Sequence, residues 1–310
     1  MKVLIGYDGS SFADAAIDDL QRAGLPADTE ALVLSVADVW PAMPPMYREA
    51  MVPGPSELSF AVTDAARQMT QAAQEEAAAL AKKARARVTG LFPGWSVTCE
   101  TVADSPASAI TERAEQWGAD LILIGSHGRG AMSRLFFGSI SSKVLRYAHC
   151  SVRIGRHIEH RQPGALRILL GLDTSEGAAA ALGAVAQRRW PQDAIVRIVT
   201  AVDVRLATAI PVLEAAAYEP SYVATDEQGW LREAQQHAAG VLRRAGLVCD
   251  SALKDGDAKH VLPIEADAWH ADCIFVGAKG ISRIERFLLG SVSSAVAARA
   301  HCSVEVIRYE

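Results

Sequence analysis

Gly125, Gly128, Gly138 and Ser139 recur in this 310-residue chain as Gly277, Gly280, Gly290 and Ser291, every one displaced by 152 positions. Arg134 and Arg286, His149-Cys150 and His301-Cys302, and Ile140/Val144 and Val292/Val296 keep the same offset, while Asp8/Asp173 and Asp38/Asp203 are displaced by 165. Agreement at this level marks two copies of one domain. The copies are read as residues 1–156 and 166–310, joined by a polar connector at 157–165 that holds His157, His160, Arg161 and Pro163. The difference between the offsets puts a thirteen-residue shortening of the second copy between its second and fourth strands, in a loop and a helix. Two such copies are expected to pack side by side as a pseudo-dimer within one chain. A homodimer of whole chains is the further assembly this allows.

Within the first copy, short apolar runs alternate with helical periodicity. Lys2–Tyr7, Ala31–Ala37, Ser96–Val102, Leu121–Ile124 and Ser151–Gly155 read as strands, because they are short, β-branched and bounded by Gly, Pro or Asp. Helices are expected over 11–20, where Ser11 and Asp14 have capping-box spacing, over 61–88, over 106–117, and after Gly138. The second of these carries apolar or small residues at 62, 66, 69, 73, 77, 80, 84 and 88, a stripe expected to be core. The order predicts an α/β fold: two tandem doubly wound, Rossmann-like domains, each a five-stranded, mostly parallel sheet with helices on both faces. The stretch from Trp40 to Ser59 holds five prolines and reads as a long loop able to cover a site. Pro263, where the first copy has Thr111, should kink or shorten its helix.

In such sheets ligands bind beyond the C-terminal strand ends, where strand order reverses. Asp8, Asp38 and the Gly125 loop all fall there. Gly125 and Gly277 leave a strand where a side chain would keep a ligand off the backbone, and Gly128 and Gly280 can take the positive φ that converges N–H groups on an anion. Gly138-Ser139 and Gly290-Ser291 open helices, whose unpaired N–H groups and dipole favour phosphate, with a hydroxyl as one more donor. A P-loop is excluded, since no lysine follows a glycine in the chain. A GxGxxG fingerprint is excluded too, since the loop follows the fourth strand with different spacing. His127, Lys279, Arg134 and Arg286 are cations within reach of such a phosphate or of solvent.

A net charge of −5 argues against a nucleic-acid surface, and no apolar run approaches the length of a membrane span or a secretory signal, so a cytoplasmic protein is expected. The five cysteines, an odd number with no CxxC pair, fit reduced thiols better than a disulfide framework or a zinc site.

Gly-x2-Gly-x9-Gly-Ser after a fourth parallel strand, with an Asp just after the first, resembles the ATP-binding branch of the universal stress protein family, in its tandem form. The resemblance implies that Asp8 and Asp173 contact adenine and that the backbone near Val36 and Ala201 completes its pocket. It implies that Gly125, Gly128, Gly138, Ser139 and Ser141 hold ribose and phosphates in the first copy, and Gly277, Gly280, Gly290, Ser291 and Ser293 in the second. The implied cofactor is ATP, with Mg2+ carried on its phosphates rather than by protein ligands. The function so implied is a stress-response regulator whose conformation or protein partner is set by nucleotide at up to two sites. With neither a HIGH-like nor an SGGxDS-like stretch, hydrolysis is expected to be slow at most. The alternatives are a ligand-free partner-binding scaffold, a weak ATPase, and a small-molecule or lipid carrier that uses Met43, Met46 and Met51 of the proline-rich loop.

Overall fold

The computed structural model describes residues 1–38, 57–128, 137–157, 164–202, 220–279 and 289–309. The first copy runs β1 (Lys2–Gly6), α1 (Ser11–Asp19), β2 (Glu30–Ala37), α2 (Glu57–Leu91), β3 (Ser96–Ala103), α3 (Pro106–Trp117), β4 (Leu121–Gly125), α4 (Ser139–Tyr147) and β5 (Ser151–Gly155). The second repeats it as β6 (Arg167–Gly171), α5 (Glu176–Gln187), β7 (Ile195–Val202), α6 (Pro220–Arg244), β8 (Val248–Asp255), α7 (Ala258–Ala268), β9 (Cys273–Gly277), α8 (Ser291–Arg299) and β10 (Ser303–Ile307). The expected pair of parallel five-stranded sheets forms, and the two fuse into one ten-stranded sheet of order β3-β2-β1-β4-β5-β10-β9-β6-β7-β8. Every pairing within a copy is parallel, and β5 meets β10 antiparallel.

Alternation along the strands sorts side chains to the two faces. Ile122 and Ile124 enter a core that runs across both copies under α3, α4, α7 and α8, while Leu121 and Leu123 enter a second core beneath α1 and α2. A third core lies beneath α5 and α6.

Several local readings need correction. The cap of α1 is Ser10, whose hydroxyl accepts from the Ala13 N–H, not Ser11. Helix α2 starts at Glu57, earlier than the period suggests; among its described side chains the buried ones begin at Ala77, and Met69 is 74% exposed. The second copy takes most of its shortening in this helix, 35 residues in α2 against 25 in α6. Helix α7 continues through Pro263 and is one residue shorter than α3. Pro263 has no N–H for the Lys259 carbonyl, four residues earlier, and the Arg299 guanidinium donates to that carbonyl at 3.2 Å instead. The proline-rich loop, at 39–56 outside the described residues, has no structural account, and the same holds for connector residues 158–163.

The seam between the copies differs on its two faces. On one, the apolar core passes through it unbroken by way of Val152, Ile154, Val304 and Val306. On the other, four charged side chains form a buried row: Arg153 Nε donates to Asp19 at 2.7 Å, Arg153 Nη1 to Glu305 at 3.0 Å, and Arg188 to Glu305. Burial alone would depress the Arg153 guanidinium, but Asp19, Cys273 and Glu305 outweigh it and hold the group above its ordinary value. Outside this row lies a symmetric exchange. Arg156 donates to the Ala297 carbonyl in the last turn of α8 and to the Cys302 carbonyl just before β10, and Arg308 donates to the Leu145 and Arg146 carbonyls at the end of α4. Each guanidinium satisfies at least one carbonyl that a helix C-terminus leaves unpaired. The exchange buries Arg156 enough to push it down to about 10.

Candidate functional site

Strand order reverses between β1 and β4, and the chain leaves both strands there at their C-terminal ends. A cavity of about 880 Å³ opens at this point, toward the upper end of the range for small-molecule sites. All seven residues expected to form the first site line it: Asp8, Val36, Gly125, Gly128, Gly138, Ser139 and Ser141.

Their roles are not all those that the spacing suggests. An added Cβ at Gly125 would come within 2.8–3.0 Å of the Phe12 and Ala13 backbone, so this glycine admits the first turn of α1 as well as facing the cavity. Gly128 does not take positive φ; a Cβ there would lie 3.1 Å from Asp8 Oδ2, and the left-handed residue is Gly9, with φ 80°, in the turn after Asp8. The Gly138 N–H donates to the Ser126 carbonyl at 3.0 Å and closes the loop's two ends. Ser139 is exposed at the first turn of α4. The Ser141 hydroxyl donates to the Gly125 carbonyl at 2.8 Å, which pins α4 to the end of β4 and leaves its oxygen as an acceptor.

Asp8 divides its carboxylate. Oδ1 accepts from the N–H and hydroxyl of Ser10 at 3.0 and 2.7 Å, while Oδ2 is the oxygen beside Gly128. Ser10 is the helix cap, and Asp8 holds Ser10. Tyr7, at 3% exposure, forms the floor; its hydroxyl donates to Asp14 at 2.8 Å, and burial, then Asp14, raises its pKa above the ordinary tyrosine value. The His127 ring lies 4.8 Å from that of Phe12, and its Nδ1 is 3.0 Å from Ser126 Oγ.

Sequence reasoning missed two parts of the wall. Ala73, Glu76, Ala77 and Leu80 of α2 face the cavity, and Phe137 stands immediately before Gly138. The helical stripe at 73, 77 and 80 carried that signal but reads equally as core.

In the second copy the reversal lies between β6 and β9, where Asp173 and Gly277 stand. Asp173 Oδ1 accepts from the Ser175 N–H and hydroxyl, as in the first copy. The Gly290 N–H donates to the Ala278 carbonyl at 2.7 Å, and Ser291 opens α8. Ser293 donates to the carbonyls of Ala278 and Gly290 rather than to that of Gly277. Ala201 is half-buried near the end of β7, and Gly280, with Arg134, Arg286 and Asp203, lies outside the described residues.

The family model for the universal stress protein family matches residues 1–156 and 165–308. The chain belongs to that family. Among curated relatives, a universal stress protein of Mycobacterium tuberculosis is 28% identical over 319 residues, covering 99% of this chain and 96% of its own length. One of Mycolicibacterium smegmatis is 26% identical over 315 residues, with the same coverage. Among solved structures, a universal stress protein from Archaeoglobus fulgidus shares the fold over 99% of this chain and 98% of its own, with a TM-score of 0.62 at 17% identity. A putative universal stress protein from Pseudomonas aeruginosa does so over 99% and 92%, with a TM-score of 0.55 at 16% identity. The tandem arrangement is therefore shared with full-length relatives of this stress-response family. Among the described residues, no helix is long and apolar enough to cross a membrane.

Proposed function

We propose that this universal stress protein binds ATP in the first-copy cavity, and that the bound nucleotide sets its conformation or its protein partner. The supporting observation is the convergence, around one cavity of about 880 Å³, of a β1-end carboxylate and the N-terminus of α4 with its exposed Ser139. A carboxylate accepts from amino and hydroxyl groups of a nucleoside, and a helix N-terminus receives phosphate. The apolar wall of Val36, Leu80, Ile110 and Phe137 suits a base. Among the described residues no cluster of three His, Cys, Asp or Glu side chains could hold a metal, so Mg2+ would ride on the phosphates. None of the described wall residues is a lysine or arginine, and Asp8 Oδ1 is taken by Ser10, so this site positions a nucleotide without a clamp for rapid hydrolysis. The second copy is a second, unequal site of the same kind.

The experiment is to denature the purified protein, identify what is released, and titrate the ligand-free protein with MgATP by calorimetry. One or two equivalents of adenine nucleotide, with matching binding, is the expected result. Absence of both release and binding would sink the proposal.

A further inference from the structure

The pairing of β5 with β10 lies on the molecule's internal twofold. Val304 faces Ile154 and Val306 faces Val152, two pairs that exchange under the 152-residue offset; Glu305 faces Arg153, and these two positions are each other's counterparts. A residue on such an axis meets its own equivalent, so in a true homodimer of either copy it would meet itself. Here the axis holds a base from one copy and an acid from the other, both fully buried. The flanking pair is asymmetric as well. Asp19 of the first copy has Ala184 as its counterpart, and Arg188 of the second has Ala23.

The same opposition appears in shape. Trp190 packs against Gly24, where an added Cβ would come within 2.8 Å of the indole, and Gly24 has φ 64°. The counterpart of Gly24 is Arg189, and that of Trp190 is Leu25. Arg188 reaches across to the Ala23 carbonyl at 2.7 Å. The second copy thus supplies the projections and the first copy the recess.

We propose that this seam is a recognition surface that accepts the other copy and rejects its own kind, so that the two unlike sites are always assembled side by side. Each copy carries one acid and one base of the row, so net charge does not forbid self-pairing; the axis does. Two first copies would bring Arg153 against Arg153, and two second copies would bring Glu305 against Glu305, in a site that solvent does not reach. Like charges so placed oppose association strongly, and selectivity of this kind arises from what the wrong partner must confront. Buried ionic rows add little stability over an apolar replacement, which leaves partner choice as what the row contributes.

The test uses whole chains with Arg153→Gln and Glu305→Gln combined. Glutamine is both donor and acceptor, so the axis position is satisfied in every pairing. In a first-copy self-pair residue 152 would face 154 of the other chain, whereas in the native seam it faces 306. One chain carrying Val152→Cys and another carrying Ile154→Cys are therefore mixed, refolded together at high concentration, and treated with a short thiol crosslinker; chains without the added cysteines set the background. With native charges, crosslinked chain pairs should stay at background, and with the glutamines they should rise at least about tenfold, the ratio that 1.4 kcal/mol of discrimination produces. Equal crosslinking in the two backgrounds, at any level, overturns the proposal. If the glutamine chain does not fold, Asp19→Ala, Arg153→Met, Arg188→Ala and Glu305→Met together replace it. Failure of both to fold also overturns it, because the row would then hold the fold together rather than choose a partner.

Discussion

The two glycine loops share their spacing and differ in what they rest on. In the first copy Phe12, in the first turn of α1, packs its ring on His127 and stands the loop off the helix. The counterparts are Gly177 and Lys279, and there the loop sits against α5: a Cβ added at Gly177 would come 2.1 Å from the Lys279 carbonyl, to which the Ser175 hydroxyl also reaches at 3.3 Å. Gly277 is correspondingly tighter against the helix backbone, at 2.3 Å, than Gly125 is at 2.8 Å. The turn before the helix changes too, since Gly9 takes positive φ and its counterpart Thr174 does not. Conserved spacing therefore preserves the path of the chain and not the shape of the site. Affinity is expected to differ between the copies.

The sharpest way to break this comparison is Gly177→Phe, which writes the first copy's residue into the second. With backbone in the way, the substitution should cost about 3 kcal/mol of stability, seen in denaturant unfolding, whereas Phe12→Gly should cost about 1 kcal/mol less than that and shift the first site's affinity. Equal tolerance of both swaps would show that the loops rest alike. Next in size is Gly138→Val, whose branched side chain must displace the Ser126 carbonyl and Ser141; it should weaken nucleotide binding in the first copy about 100-fold, or about 2.7 kcal/mol. Gly290→Val should leave that site unchanged, and calorimetric stoichiometry separates the two.

Asp8→Asn is a finer probe. The amide oxygen still accepts from Ser10, so the melting temperature should move little while affinity falls about tenfold, or about 1.4 kcal/mol. A drop in melting temperature with unchanged affinity would make Asp8 a turn residue only. The last probe is the response to alkali. Burial pushes Cys273 up to about 12 and raises Cys302 further, so the folded state keeps these protons while unfolded thiols, near 8.5, release theirs. Protons are then bound more by the native state, and stability should fall as pH rises from about 8.5 toward 12. Alanine at both positions should flatten that slope in unfolding titrations, and neither thiol should be alkylated at pH 8 before unfolding.

The strands, the duplication and the first-site residues were legible because short β-branched runs, fixed glycine spacings and strand-end aspartates are local signals. Gly125 was assigned to the cavity for the right place and an incomplete reason, since the packing of Phe12 on it is a tertiary contact that spacing does not encode. Met69 falls on an apolar stripe yet is exposed, because periodicity states which face a residue takes and not what packs against it. Arg153 and Glu305 stood in view, opposite charges in the middle of two otherwise apolar strands at the repeat offset. Only the antiparallel meeting of β5 and β10 gives that pair its meaning. Ser10 rather than Ser11 as the cap was a shift of one residue, within the usual uncertainty of helix ends.

Helix α4 begins at Ser139, which lines the cavity, and ends on carbonyls held by Arg308 of the other copy. Its nine residues span about 13 Å. It is a short lever with one end in the candidate site and the other gripped across the seam. A ligand at the first end therefore meets a helix whose other end is held by a guanidinium of the opposite half, and Arg156 holds α8 in the same way.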